Sequence, residues 1–327
     1  MVDRVRINKK YLRKPDIAWP TLLVLVCGWL VWLLAIYLRL SQQWHSVITI
    51  PISVSGCYIL FTPLHDAAHA SISGKYKWLN EIVGNIAGIP FFFAPFKLFQ
   101  MIHLKHHAYT NQPDKDPDYW SGQPTRFRLF FCSTQILYYM WMFIKIVVET
   151  LYNRYMETRK GKGIIPKNLE ELYEFTSHKV VKNYVYVTVY GLFCIFLNWS
   201  LFAYYSLNGQ FLDFFVLWVL PSELAITALS YLFDYLPHAP HNHSDNKYQL
   251  TNMVDGIYGS NNGNGNELIS MLTFNQLSYH NIHHNFPVLP FYMYNTVWHS
   301  YKDEFIEKGT PVVTLFNKKK RVINLKI

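Results

Sequence analysis

Four long apolar runs, at residues 17–38, 47–64, 183–207 and 211–233, constrain what this 327-residue chain can fold into. About 20 apolar residues in a helix cross a hydrocarbon core of about 30 Å. Within that core each backbone N–H and C=O needs a partner inside its own segment, which a helix supplies. Charged residues make up only 16% of the chain, against about 25% in soluble domains. A water-soluble globular protein is therefore not expected.

The links between the runs carry the next constraint. Arg39 to Ser46 joins the first two, and Asn208-Gly209-Gln210 joins the last two, with one basic residue between them. The other side is basic: Arg4, Arg6, Lys9, Lys10, Arg13 and Lys14 precede the first run, and seven Lys or Arg lie in 152–182. Positive segments stay in the cytoplasm. Residues 127–151 are long enough to span but are interrupted by Arg126, Arg128, Lys145 and Glu149; a span there would carry the basic 152–182 segment outside. An amphipathic surface helix is expected instead. Residues 79–101, broken by Gly84, Gly88, Pro90 and Pro95, read as a short helix and a bend at the interface. The fold class that results is all-α integral membrane. Residues 1–327 form one domain of four transmembrane helices in two hairpins, with both termini cytoplasmic. A cytoplasmic helical cap comes from 65–182 and 234–327. The location is the endoplasmic reticulum membrane in a eukaryote or the inner membrane in a bacterium.

The net charge of +9 then points to anionic headgroups rather than nucleic acid. Lys318-Lys319-Lys320-Arg321 reads as a headgroup contact or a solvated tail. The first apolar run is too long for a signal-peptide core and lacks a small-residue cleavage site, so it reads as a retained span. Cys27, Cys57, Cys132 and Cys194 sit apart inside apolar runs, which argues against a disulfide framework or a structural zinc site.

Eight of the 14 histidines fall in three clusters: His65 and His69; His103, His106 and His107; His280, His283 and His284. Spacings of three and four place each cluster on one helix face. The His-x-x-His-His pattern occurs twice, 177 residues apart, which a solvated polar patch does not require. His65-Asp66-x-x-His69 alone fits a metal-binding pair or helix-end polar contacts equally, and it is one methylene from the zinc-protease helix. All three clusters fall on the cytoplasmic side, although the spans were placed without them. Eight imidazoles exceed what one four-coordinate zinc accepts, so two metals are expected. Imidazole suits zinc, copper, iron or nickel. A site fed by apolar substrates, with no hydrolytic carboxylate in the second or third cluster, points to C–H oxidation by a redox metal. His45, His178 and His299 lie outside the clusters and read as interfacial or polar-contact residues.

These three boxes resemble those of the membrane fatty-acid desaturase and hydroxylase superfamily. His106-His107-Ala108-Tyr109-Thr110-Asn111, followed by Asp114-Lys115-Asp116-Pro117-Asp118, is similar to the stretch after the second box of desaturases and β-carotene hydroxylases. Tyr235-Leu236-Pro237-His238-Ala239-Pro240 resembles a segment of carotenoid ketolases and hydroxylases, with Ala239 where those often carry Arg. The resemblance implies a di-iron centre of two iron ions held by histidines, with O2 as co-substrate. It also implies electrons from an external donor, a cytochrome b5, a ferredoxin or a similar protein; no His-Pro-Gly-Gly haem motif is present. It implies a ninth ligand before the third box, for which His238 fits best and His241 is the runner-up. Asp66, Asp116 and Asp234 lie beside the boxed histidines and are candidates to accept the second ring N–H, or else plain cap and turn acids.

The expected function is desaturation or hydroxylation of a long membrane lipid, an acyl chain in the first place. A carotenoid ring hydroxylase or ketolase is the alternative with the same site. The substrate is expected to enter along the broken 79–101 segment. Two readings of other classes remain: an intramembrane zinc protease built on His65 and His69, and a metal transporter. A transporter needs acids inside the spans, where only Glu223 and, near an end, Asp213 occur. Asn111 and the Asn261–Asn266 run read as turn and loop.

Overall fold

The computed structural model describes residues 5–91, 95–122, 137, 140–148, 151–152, 178–242, 245–256, 266–314 and 317–321. After a short capped turn, α1 (Lys9–Leu12), come α2 (Trp19–Leu40) and α3 (Ser46–Ala68). Gly28 of α2 lies against Leu60, and Gly56 of α3 lies against Trp32, so the two helices run in opposite senses. A Cβ on Gly56 would stand 2.8 Å from the Trp32 backbone nitrogen. Lipid offers no hydrophobic drive between helices, so small residues that let backbones approach supply the packing.

The second pair is α7 (His178–Leu207) and α8 (Phe211–Tyr235). The ring of Phe202 stands 5.6 Å from those of Phe211 and Phe214. Two π-helical stretches, Phe215–Val219 and Ser230–Tyr235, interrupt α8. α3 bridges the pairs: the Ser53 hydroxyl donates to Leu217 O at 3.0 Å, beside a Trp32–Trp218 edge contact at 4.8 Å. Far from the histidines, Arg39 Nε meets Asp213 Oδ1 at 2.6 Å and ties the end of α2 to the start of α8. The helices Trp19–Leu40, Ser46–Ala68, Tyr186–Leu207 and Phe211–Tyr235 are long and apolar enough to cross a membrane, as the four runs led us to expect.

The broken segment is two helices, α4 (Lys77–Gly88) and α5 (Phe96–Tyr109), either side of a bend. Gly84 lets α4 close on the Phe96 ring. α4 turns Trp78, Ile82 and Ile86 outward and buries Val83 and Ala87. Within 127–151, residues 137, 140–148 and 151 are helical, and the rest lie outside the described residues. The stretch 140–148 (α6) buries Ile146 against Leu98, Ile102 and Val187. Its outward residues are Met140, Trp141, Ile144 and Val148, together with Lys145.

The remaining helices are α9 (Glu267–Leu272), α10 (His280–Asn285) and α11 (Tyr294–Glu307). α10 and α11 pack over a second core containing Tyr248, Ile282, Tyr294, Trp298 and Phe305, whereas Ile269 of α9 joins the core of the long helices. The chain is not wholly α. Met253–Gly256 (β1), Val312–Thr314 (β2) and Asn317–Arg321 (β3) form a sheet in the order β1-β2-β3, first pair parallel and second antiparallel. The β-branched run Val312-Val313-Thr314 favours it. The backbone of Lys318–Arg321 therefore lies in a strand rather than a tail. The N-terminus is fastened to this region by Val5 N–H to Tyr248 Oη and Asn8 N–H to Tyr301 Oη, both 2.8 Å. Cys27, Cys57 and Cys194 are free thiols; Cys132 and the Asn-Gly run 261–265 lie outside the described residues.

Candidate metal centre

α3 continues through Ala68 with His69 as its C-cap, so His65 and His69 occupy the last turn of a span. They do not emerge into water: His65 is 2% exposed and His69 7%. Lys14 Nζ donates to the His69 carbonyl at 3.1 Å, satisfying an orphan acceptor at the helix end. α5 carries His103, His106 and His107. Asn111 follows in the left-handed conformation, φ +61°, and reverses the chain. α10 carries His280, His283 and His284, and buried Asn281 anchors it by donating to Tyr248 O and Thr251 O at 2.9 and 2.8 Å. His238 arrives just after the π turn that ends α8.

All nine meet. His65, His69, His103 and His283 form one group of ring nitrogens within 4.8 Å of one another, and His106, His238 and His284 a second. His107 joins the two groups through His283 and His284. His280 Nε2 lies 3.0 Å from His238 Nε2. The other close Nε2 pairs are His65–His283 at 3.1 Å, His69–His103 at 2.8 Å, His103–His107 at 3.2 Å and His238–His284 at 3.1 Å. Nitrogens each about 2.1 Å from one ion stand about 3 Å apart when adjacent. The spacing is that of ligands around shared ions.

The outer nitrogens explain why the inner ones are bare. His280 Nδ1 faces Gln276 O at 3.0 Å and His106 Nδ1 faces Asp116 Oδ1 at 2.8 Å, so both carry their proton outside. Each then turns an Nε2 lone pair inward. His283 Nδ1 is held by Tyr294 Oη at 3.0 Å and His284 Nδ1 by Thr110 Oγ1 at 3.3 Å. His65 differs: its Nδ1 faces the Gln276 amide nitrogen at 3.2 Å, a donor, so this contact orients the ring without placing its proton outside. Lone pairs converging in a buried space repel unless a cation sits among them. The donor set fits metal ions.

Electrostatics agree. Burial pushes the imidazoles of His69, His103, His107, His238, His283 and His284 well below their ordinary value, and neighbouring histidines push them further. Burial likewise lowers His280 to about 3. Neutral imidazoles are the form a metal binds. His106 is the exception: burial lowers it, but the hydrogen bond and charge of Asp116, with Asp118 and Asp234 behind, lift it to about 9.

Of the three acids expected beside the ligands, only Asp116 holds a ring. It accepts from His106 Nδ1, from Asn111 N–H at 2.7 Å and from Asp118 N–H at 2.9 Å. Asp66 instead accepts from Thr21 Oγ1 at 2.8 Å and from Phe291 N–H at 3.3 Å. Residue 66 follows His65 on a helix and so points about 100° away from it. Asp234 makes no hydrogen bond to a histidine among the described residues and acts on His106 through charge. His241, the runner-up for the ninth position, joins no metal-spaced group among the described residues; its ring stacks on Tyr235 at 5.8 Å. His45 caps α3, its Nδ1 accepting from Val47 N–H at 3.3 Å. The sequence reading missed Gln276, Tyr294, Thr110 and Asp118. Gln276 was findable, four residues before His280 on the same turn.

Against the centre lies a cavity, mostly apolar, lined by Phe61, Leu64, Phe91, Phe99, Ile226, Leu229 and Phe233. His65, His103, His106 and His280 share its wall with Asp118, Ser230, Asp234 and Gln276.

Fold and site together define a helical protein with membrane-length spans and a buried polyhistidine centre opening on an apolar cavity. Comparison with known proteins makes the class specific. The model of the fatty acid desaturase family matches residues 42–316, and the chain belongs to that family. It is similar to the beta-carotene ketolase of Haematococcus lacustris, 29% identical over 87 residues, which are 27% of this chain and 27% of that protein. It is also similar to the sn-1 oleoyl-lipid 12-desaturase of a Picosynechococcus strain, 31% identical over 98 residues, 23% of this chain and 28% of that protein. The Delta(12) fatty acid desaturase fat-2 of Caenorhabditis elegans is 44% identical over 57 residues, 17% of this chain and 15% of that protein. In each case the matched region is less than a third of the relative's length.

Proposed function

We propose that this chain is an O2-dependent membrane oxidoreductase that oxidises an unactivated C–H of a long lipid, using two irons held by the nine clustered histidines. The observation that carries the reading is the pair of nitrogen groups, spaced for ions, at the wall of an apolar cavity. Bound there, iron supplies the redox chemistry that activates O2, which zinc does not. His65, His69, His103 and His283 would hold one ion; His106, His238, His280 and His284 the other, with His107 between them. Asp116, Gln276, Tyr294 and Thr110 fix ring orientation, which sets ligand strength. Phe61, Phe99 and Phe233 exclude water and lay an extended hydrocarbon beside the centre. Whether hydrogen loss yields a double bond or oxygen insertion yields an alcohol depends on where the chain rests, and both desaturases and ketolases stand among the similar proteins. An acyl chain and a carotenoid are thus both admitted as substrates.

The cap and both termini face the cytoplasm in this reading, supported by the basic 1–16 and 152–182 segments. Electrons come from a separate donor protein. The zinc-protease alternative asks Asp66 to act as general base, but its carboxylate is taken by Thr21 and Phe291. The transporter alternative loses Asp213, which is paired with Arg39.

The test is expression in a host that makes both fatty acids and β-carotene, with lipid and pigment profiles compared against His283→Ala and His106→Ala. New unsaturated, hydroxylated or keto products should appear only with the unaltered chain, which should carry two irons. Products that persist in both variants, or one zinc per chain, would overturn the assignment.

A further inference from the structure

A basic segment ahead of a span is an ordinary anchor, but here a second segment closes on it. The stretch 14–18 runs beside 72–76: Ala18 N–H donates to Ile72 O at 2.8 Å, Gly74 N–H to Pro15 O at 2.9 Å and the Ser73 hydroxyl to Asp16 O. A Cβ on Gly74 would stand 2.9 Å from Lys14 Cβ. Lys14 is thereby brought to Lys75 and Lys77, close enough for the charges of Lys14 and Lys77 to act on each other. Lys77 also sits in the first turn of α4, where the helix dipole disfavours a cation. Like charges gathered this way repel, yet none of the three lysines has an ion pair among the described residues. Glu81, one turn along α4, is taken by Lys97 at 2.9 Å. Asp16 meets the turn through its backbone oxygen. Lys14 Nζ gives one of its three donors to His69 O at 3.1 Å.

The level of this patch decides what neutralises it. Trp19 opens the first membrane-length helix and is 67% exposed; Trp78 on α4 is 60% exposed. Ile82 and Ile86 follow Trp78 at intervals of four and also face outward, so α4 turns an apolar stripe away from the protein. Exposed indoles and an apolar helix face of this kind lie at the headgroup boundary of a bilayer. The lysines beside them stand at the level of lipid phosphates, not out in water where a soluble acidic partner docks. We propose that Lys14, Lys75 and Lys77, flanked by Trp19 and Trp78, form a binding site for the headgroup phosphate of an anionic phospholipid. The occupant is a bound structural lipid, distinct from the chain that is oxidised. Its phosphate shares the Lys14 ammonium with the His69 carbonyl, at the end of the helix that carries the first histidine box. The site requires that the long helices span a membrane and does not depend on what the centre oxidises.

The test uses the purified full-length protein in neutral detergent, titrated with dihexanoyl phosphatidylglycerol or dihexanoyl phosphatidylcholine and read by native mass spectrometry. Inorganic phosphate and a polyglutamate peptide are the other two probes. The anionic lipid should bind about tenfold more tightly than the zwitterionic one, the effect of two or three lysines at a charged headgroup. In Lys75→Gln/Lys77→Gln, two exposed positions, the preference should fall to within about twofold. Lys318→Gln/Lys319→Gln removes the same charge elsewhere and should leave it unchanged. Equal binding of the two lipids by the unaltered protein overturns the proposal. So does a preference that survives in Lys75→Gln/Lys77→Gln or is lost equally in Lys318→Gln/Lys319→Gln, which would reflect net charge alone. Inorganic phosphate binding as tightly as the anionic lipid would make this a free-phosphate site, and displacement of the lipid by polyglutamate would make it a protein-docking face; either result refutes a lipid site. Because no turnover is measured, failure of the oxidase reading leaves the lipid preference measurable.

Discussion

Asp116→Asn is the sharpest probe of how the protein prepares its histidines. The carboxylate receives three donors: His106 Nδ1 and Asp118 N–H at Oδ1, and Asn111 N–H at Oδ2. An amide of the same shape keeps one oxygen. If that oxygen faces His106, the new NH2 points at the Asn111 N–H; the opposite flip sets it against two donors. At least one buried N–H loses its acceptor either way, a cost of about 1–3 kcal/mol. The imidazole also loses the anion that fixes its tautomer, and losing such a partner lowers metal affinity about 10–100-fold, or about 1.4–2.7 kcal/mol. The assay is competition for iron between the purified protein and a chelator of known strength. Asp114→Asn, at an exposed position of the same loop, is the control. We expect the variant to release one ion at a chelator concentration at least tenfold lower, while the control follows the unaltered protein. An Asp116→Asn protein that holds both ions within twofold of normal would refute the orienting role of the carboxylate.

Three further outcomes follow from the packing. Gly56→Ala places a methyl 2.8 Å from the Trp32 backbone nitrogen, so α2 and α3 must part; overpacking of this kind costs about 1–3 kcal/mol, and unfolding in detergent should begin several degrees lower. Asn281→Ala strips donors from Tyr248 O and Thr251 O beneath α10, costing about 3 kcal/mol and loosening all three histidines of the third box together, seen as iron loss alongside lower thermal stability. Chelation should lower the unfolding temperature of the unaltered protein, and back-titration with iron should restore it, saturating at two ions per chain; at a free-ion concentration of about 100 times Kd the gain is about 2.7 kcal/mol. An unfolding temperature that ignores iron would place the ions elsewhere.

Different parts of this molecule are written in the sequence at different depths. The spans are legible because apolar length needs only composition, and four of the expected runs coincide with membrane-length helices. The boxed histidines are legible because their spacing follows the helical repeat. What each ring touches is not, because the partners are tertiary: His283 meets Tyr294, His284 meets Thr110, and His65 meets Gln276 from 211 residues away. Sequence adjacency even misleads. Asp66, next to His65, lies on another face of α3, while Asp116, ten residues beyond His106, comes back because Asn111 turns the chain. The small sheet escaped for a related reason: Met253 pairs with Val312 across a stretch that includes α9, α10 and α11, and strands of three to five residues leave little periodicity to read.

The wall of the cavity lies deepest of all. Ser230 opens a π-helical stretch that runs to Tyr235, and each π turn adds a residue and shifts the phase of everything beyond it by about 100°. A helical wheel drawn at 3.6 residues per turn through α8 therefore misplaces both Asp234 and His238. The same irregularity that hides them from the sequence brings the carboxylate to the cavity and the imidazole to the metal ligands, one turn apart. Converting the stretch to regular α-helix by deleting one residue between Ser230 and Asp234 should rotate both groups away at once. Iron binding would then be lost at the His238 side of the centre first.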